Sequence, residues 1–478
     1  MLLKEFTHEP KSVAIIGGGV AGATAAVHLA ELGLKVTLIE RGEGLVNGPP
    51  ICHLHAGGNL YREISTQQCI ELLKQSIDTV RLYPHSLNVR PTVIAVPQSD
   101  AGNPDDLLPR LEIIKQCYQE FVETDSANKV LGEPGDYYQL FSKQQLEALA
   151  NKIQPSHPNT IEHWLIPFAK HSDLDALKYP VIAVQEYGWS VFRLASSADL
   201  VLEQLPNSQT LTQTEVYALE RAGEQWVVGC RRQDDSRFEV HADYLINACG
   251  YETGMIDDLV SEHRTRLVEF KAAYVTHWDC NEQWPEVIFH GPRGTEQGMA
   301  QLTPYPNGVF QLHGMTKDIT LFNNGLVGST PESSQPKLPS ELESKIKQGW
   351  LESERIERTH KAIKHMSQFI PQYQTATELG KPLFGAQQIP GEDDTLRAAD
   401  VTFAGDNYAR VEIVKGSSAL EAARKIVEQW ALYEYDGQSI EVLHPQSMML
   451  SAQAVETRAE QMAVAREYPI ELAQYFGQ

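Results

Sequence analysis

The stretch Ser12 to Arg41, SVAIIGGGVAGATAAVHLAELGLKVTLIER, constrains this chain more than any other. Val13 to Ile16 is short and wholly apolar, the pattern of a central parallel strand buried on both faces. Gly17-Gly18-Gly19-Val20-Ala21-Gly22 follows and satisfies G-x-G-x-x-G. Gly17 permits a tight turn, Gly19 lets backbone approach a pyrophosphate, and Gly22 lets the helix pack closely on the strand. The spacing predicts a helix from Val20 to Leu32, its N-terminal amides aimed at phosphates. LKVTLIE then reads as a second strand ending in Glu40. That carboxylate can accept both ribose hydroxyls of an adenosine and would repel a 2′-phosphate, which disfavours NADP. The unit predicts a bound dinucleotide without separating NAD from FAD.

Size and charge narrow the class. The chain has 478 residues, 42% hydrophobic and 22% charged, which fits a folded protein of two domains. Its net charge is −23, from 63 acidic and 40 basic residues, so phosphate backbones are repelled and nucleic acid is not an expected partner. Val13 to Ala30 is the most apolar stretch, but its glycines and His28 make it a buried strand and helix rather than a membrane span. The polar opening MLLKEFTHEPKS has no signal-peptide core. None of the six cysteines lies in a Cys-x-x-Cys pair, so no metal or dithiol signature is read and no metal is expected. A reducing, cytoplasmic setting is the expectation.

Three further stretches bear on the ligand. In VNGPPICHLHAGGNLYREIS, the small residues Ala56, Gly57, Gly58 and Asn59 allow backbone to approach a flat ligand. The helix TQQCIELLKQSIDTVRLY follows, with Ile70, Leu73, Ile77 and Val80 as its core stripe. In EVHADYLINACGYETGMIDDL, an apolar strand ends in Ala248-Cys249-Gly250. In ADVTFAGDNYARVEIVKGSSALEAARKIVEQW, a strand is followed by Gly405-Asp406, a loop and a helix, with Ser418 to Glu421 predicted as a capping box. The helix start, with Lys415 and Gly416 before it, stabilises anions.

Together the N-terminal unit, INACGY and FAGD…KGSSALEAARKI resemble FAD-dependent oxidoreductases of the D-amino-acid oxidase and glycine oxidase type, within the glutathione-reductase-like flavoproteins. The resemblance covers roughly the first 65 residues, 195–255 and 395–432. It implies FAD, with Gly17, Gly18, Gly19, Ala21, Gly22, Glu40, Arg41, Val216, Ala248, Cys249, Gly250, Gly405, Asp406, Val414, Lys415 and Gly416 around it. Val216 would meet adenine through its backbone. Gly405 and Asp406 would line the ribityl and pyrophosphate, and Lys415 would lie near flavin N1 and O2. HLHAGGN is also similar to the His-Ala-Ala-Gly stretch of dimethylglycine and sarcosine dehydrogenases, where the histidine carries FAD covalently. His55 is the matching position, with Ala56 to Leu60 beside the flavin. No tryptophan precedes His55 and the second alanine is glycine, so noncovalent FAD is expected.

The resemblance implies an α/β chain: a Rossmann-like FAD-binding domain with an interleaved α+β substrate domain on an antiparallel sheet. Expected FAD-domain segments are 10–95, 195–265 and 395–435, expected substrate-domain segments 96–194 and 266–394, and 436–478 a helical tail. A long charged helix is expected from Ser340. Gly291, Gly294 and Gly298 have the wrong spacing for a second dinucleotide motif, so no separate NAD domain is expected. The implied reaction is oxidation of a small amine, amino acid or hydroxy acid by hydride transfer to flavin N5. Oxygen, a quinone or a carrier protein would take the electrons.

A carboxylate substrate needs a cation, and arginine binds both oxygens at once. Arg62, Arg193 and Arg293 are candidates, with Lys271, and His313 and Tyr305 are candidate polar contacts. Arg62, His313 and Lys415 are the leading catalytic candidates. Three alternatives stand beside this reading. The amine oxidase and desaturase branch shares FAGD but expects Arg-x-Gly-Gly-Arg where RGEGLVNGPP stands. Hydroxybenzoate-type monooxygenases expect Ala-Ala-His after Gly-Asp, where NYAR stands. The third is a flavoprotein subunit with no small-molecule oxidase activity of its own.

Overall fold

The computed structural model describes residues 11–48 and 61–475. In chain order its main elements begin with β1 (Ser12–Ile16), α1 (Val20–Glu31), β2 (Lys35–Ile39), α2 (Thr66–Leu82), β3 (Thr92–Pro97) and β4 (Tyr138–Phe141). Then come α3 (Ile161–His171), β5 (Leu177–Val184), α4 (Val191–Gln204), β6 (Ser208–Leu211), β7 (Thr214–Ala222), β8 (Gln225–Arg232), β9 (Arg237–Ala242) and β10 (Tyr244–Asn247). The second half holds β11 (Arg266–His277), β12 (Glu286–Phe289), β13 (Ala300–Pro304), β14 (Val309–Gly314), β15 (Leu326–Gly328) and β16 (Leu383–Pro390). The last are β17 (Val401–Ala404), β18 (Tyr408–Val411), α5 (Ala419–Gln429) and α6 (Ala452–Ala465).

The apolar run of β1 is central because both its faces are covered. It pairs in parallel with β2 and β10, placing Ile15 between Leu38 and Ile246. The sheet order is β17-β18-β10-β1-β2-β6, all parallel except the edge strand β17. α1 buries ten consecutive residues against this sheet and its neighbouring helices. A small three-stranded sheet, β9-β8-β7, completes the nucleotide domain.

The second domain is a ten-stranded sheet with the path β15-β11-β14-β13-β12-β3-β5-β4, with β16 and the two-residue strand Thr377–Glu378 both pairing with β11 off that path. It is mostly antiparallel, as expected, but β12 and β3 run parallel. β3 belongs to this sheet, so the first nucleotide segment ends before Thr92 rather than at residue 95. Side-chain alternation gives the sheet two different faces. Val93, Val287, Leu302, Leu312 and Tyr274 lie on the outer face in one apolar core. On the inner face, Ile94 and Ile182 join the core of the nucleotide domain. The long charged helix expected from Ser340 is two helices, Ser340–Gln348 and Glu352–Met366. They break at Gly349, whose φ of 89° no L-residue adopts readily.

The tail is tied down. Ser196 Oγ on α4 donates to Val455 O at 2.7 Å, and Arg466 donates to Leu45 O and Val46 O at 2.6 and 2.7 Å. A buried chain of rings fixes the segment before it. Ile440 O can only accept, so His444 Nδ1 donates to it at 2.7 Å. His28 Nδ1 then donates to His444 Nε2, and Tyr435 donates to His28 Nε2, each at 2.8 Å. Among the described residues no helix is long and apolar enough to cross a membrane.

Candidate dinucleotide and substrate site

The C-terminal ends of β1, β2, β10 and β18 meet at one edge of the parallel sheet, where α/β folds bind ligands. Gly17 has φ +98°, and a Cβ on Gly22 would stand 1.8 Å from Gly17 O. Both glycines are therefore required by the turn itself. A Cβ on Gly19 would meet nothing within 4 Å, so that side of the turn is open. α1 has no side-chain cap and no acid in its first turn. Free amides, an open approach and helix polarity together fit a pyrophosphate.

Glu40 folds back over this turn. Its Oε2 accepts from Gly18 N at 2.6 Å and its Oε1 from Gly42 N at 2.5 Å. Thr214 N donates to Glu40 O at 3.0 Å, which brings the start of β7, with Val216, beside the acid. Arg41 is turned to Glu252 at 2.7 Å, with its side chain half exposed. Ala248 N donates to Ile16 O at 2.8 Å, and Cys249 Sγ points to Ile16 O at 3.3 Å. Burial pushes the Cys249 thiol up, so it sits there as a neutral packing group. Gly250 follows at φ +58°.

Val414, Lys415 and Gly416 cross the same edge. A Cβ on Gly416 would fall 2.7 Å from the Trp189 ring and 3.5 Å from Val20 at the start of α1. Gly405 and Asp406 are a correction. They form the exposed turn of the β17–β18 hairpin, because β18 and not β17 takes the parallel place beside β10. Asn407 after them bonds to Asp243 O at 2.7 Å, at the opposite end of the sheet from the glycine turn. The predicted capping box is absent too. Gly416–Ser418 already form a 3-10 turn, and Ser418 Oγ donates to Gln75 on α2 at 2.6 Å. His55, Ala56, Gly57, Gly58, Asn59 and Leu60 lie outside the described residues.

Beyond this edge stands the inner face of the ten-stranded sheet. A register row runs Ile182–Ile94–Ile288–Gln301–His313 and turns from apolar to polar along its length. His313 is buried at its end. On the same face of β11, Lys271 Nζ lies 2.8 Å from Glu269 and 3.1 Å from Gln387 Oε1. Gln387 Nε2 donates to Val414 O at 2.6 Å, so two hydrogen bonds join Lys271 to the loop at the nucleotide edge. Arg293 also pairs with Glu269. Burial lowers the Lys271 ammonium, Glu269 works against that, and Arg293 adds to it. Burial would raise the Glu269 carboxyl, but Lys271 and Arg293 hold it below its usual value. Two cations thus share one carboxylate.

The other candidates have different work. Arg193 is fully buried and donates to His85 O, Asn88, Ala473 O and Gln474 O. It anchors the tail and is not turned to a ligand. Arg62 forms two bonds to Asp100, at 2.7 and 3.1 Å, on the wall of a cavity of about 430 Å³ with Tyr61, Arg110 and His290. Tyr305 donates to Gln311 Oε1 at 3.1 Å. The sequence reading missed Glu269, Gln301 and Gln387. For Glu269 the available signal was its spacing two residues from Lys271 in the otherwise apolar strand pattern of RLVEFKAAYVTH.

A family model described as "FAD dependent oxidoreductase" matches residues 12–394. Glycine oxidase from Geobacillus kaustophilus is similar in structure, with TM-score 0.54, 13% identity, 89% of this chain and 96% of that chain covered. L-amino acid deaminase from Proteus vulgaris aligns with TM-score 0.56 at 11% identity, covering 90% of this chain and 95% of that one. L-proline dehydrogenase from P. horikoshii aligns with TM-score 0.54 at 13% identity, covering 92% and 98%. No curated protein matches the chain.

Proposed function

We propose a function from one premise: the chain belongs to the FAD dependent oxidoreductase family and is an FAD-dependent enzyme. It oxidises a small amino acid or hydroxy acid, and the acid group is what it recognises. Bound FAD supplies the redox chemistry by accepting hydride. The glycine turn and the start of α1 hold the pyrophosphate, and Glu40 exchanges its backbone partners for ribose hydroxyls. Val414, Lys415 and Gly416 close the flavin end, where the Lys415 charge favours a developing anion.

The observation that carries the substrate class is the pairing of Lys271 and Arg293 on the single carboxylate of Glu269, on the buried inner face. The cluster sets two cations on one carboxylate beside the nucleotide edge. A substrate carboxylate would add a second anionic partner through charge-assisted bonds. A simple amine would add a third cation there. His313 and Gln301, in the next strands, offer polar contacts to the rest of the substrate. Oxygen, a quinone or a carrier protein takes the electrons.

The test is anaerobic bleaching of the flavin by amino acids, hydroxy acids and the matched amines lacking the carboxylate. The expected result is bleaching by acids alone. Equal bleaching by the matched amines removes the role given to Lys271. Bleaching by none favours the subunit reading.

A further inference from the structure

A second cluster lies away from the nucleotide edge, on the outer side of the ten-stranded sheet. His171 is the last residue of α3, and Cys280 and Glu282 stand in the loop between β11 and β12. One ligand atom from each lies within 4.8 Å of the others. Glu282 Oε2 is the meeting point, 3.4 Å from His171 Nε2 and 3.1 Å from Cys280 Sγ. In a tetrahedral zinc site with bonds of about 2.0–2.3 Å, neighbouring ligand atoms stand about 3.3–3.6 Å apart. The two separations to Glu282 need only small shifts to match, and His171 and Cys280 lie within 4.8 Å of each other.

The surroundings hold each ligand from behind. Lys170 Nζ takes the other carboxylate oxygen, Oε1, at 2.7 Å, leaving Oε2 facing the cluster. Trp284 Nε1 donates to Cys280 Sγ at 3.2 Å, the kind of outer bond that steadies a thiolate. The Trp278 and Trp284 rings pack on the imidazole at 5.6 and 5.8 Å between centroids. His171 Nδ1 is buried and has no hydrogen-bond partner among the described residues. Beside Cys280 and Glu282 opens a cavity of about 450 Å³, also lined by Asp279 and Asn281, which gives water access to a fourth position.

We propose that His171, Cys280 and Glu282 bind one zinc(II) ion, with water as the fourth ligand, clipping the end of α3 to the β11–β12 loop. Binding displaces the Cys280 proton to solvent, and two anionic ligands with one neutral imidazole balance the ion's charge. Imidazole, thiolate and carboxylate together are a donor set that zinc accepts. The site is independent of the flavin reading, since the apolar outer core separates it from the inner face.

Full-length protein, freed of metal with a chelator, is loaded with zinc sulfate, gel-filtered and assayed for bound metal. Wild type and the Cys117→Ser control, altered on a different helix, are expected to retain about one zinc per chain. Cys280→Ser and His171→Ala are expected to lose at least about nine-tenths of it. Zinc absent from wild type, or retained equally by Cys280→Ser, overturns the proposal. Should a variant fail to fold, cobalt(II) titration of wild type decides. Intense visible bands of four-coordinate cobalt support the site, and weak six-coordinate bands or none overturn it.

Discussion

Gly22→Ala and Gly19→Ala separate the two tasks of the glycine turn. A Cβ on Gly22 would sit 1.8 Å from Gly17 O and 3.3 Å from the Ala248 Cβ. A carbon–oxygen contact needs about 3.3 Å, so the turn or the helix must move by about 1.5 Å. Gly17, at φ +98° and enclosed by Ala248 and Cys249, has little room to yield. Alanine in a helix would otherwise gain about 1 kcal/mol over glycine, and an overlap of this size outweighs that gain. A shift of about 1.5 Å carries hydrogen bonds of about 2.9 Å beyond bonding range. Losing two charge-assisted bonds to the pyrophosphate, at about 1.5–3 kcal/mol each, weakens FAD by about 10²- to 10⁴-fold. Gly22→Ala therefore lowers both the melting temperature of the apoprotein and FAD affinity. Gly19 has φ −66° and ψ −173°, and its Cβ position is open. Gly19→Ala keeps the apoprotein's melting temperature and weakens FAD by about tenfold or more, because the new methyl faces the phosphates. Fluorescence titration of apoprotein with FAD, beside thermal melts, reads both effects. Gly22→Ala binding FAD within about threefold of wild type, at an unchanged melting temperature, would refute the reasoning.

Asp257→Asn should cost about 3–5 kcal/mol, since the fully buried Asp257 accepts from Arg266, Arg410 and Tyr408 and its loss leaves two buried guanidinium groups with only the longer contacts to Glu412 and Glu262. Urea unfolding measures this, and a change below about 1 kcal/mol contradicts it. The His28–His444 chain makes stability depend on pH. Burial, first, and neighbouring positive charge hold both imidazoles below their usual value, His444 at about 4. Stability from these groups is complete above the unfolded value of about 6.5 and is lost as pH falls toward 4, by up to about 1.4 kcal/mol per unit for each group. His444→Asn should flatten the stability profile between pH 6.5 and 4.5 by about one proton's slope, and an unchanged slope rejects the role. Lys271→Met should lower kcat/KM on acid substrates by about 10- to 100-fold, one charge-assisted bond, with flavin content unchanged. A loss of flavin instead would make Lys271 structural.

The Rossmann unit was legible because every requirement is local: an apolar strand, glycines at fixed offsets and an acid two elements later. The β17–β18 hairpin was not, because FAGD and YARV are equally good strands and only pairing decides which one lies beside β10. Arg193 looked free for a substrate because the backbone carbonyls that satisfy it come from His85, Leu87, Ala473 and Gln474, distant in sequence. The polar inner face needed register as well as alternation, since Gln301 and His313 become neighbours only across a strand pair. His171, Cys280 and Glu282 escaped for the same reason: motif spacing finds ligands on one element, and here α3 supplies one of the three.

The central claim is that the edge formed by Gly17–Gly22, Glu40 and Val414–Gly416 holds FAD. The visible spectrum of purified protein, before and after acid precipitation, tests it most directly. The account predicts flavin bands in the native protein and FAD released into the supernatant. Colourless protein that takes up no FAD on reconstitution would contradict it.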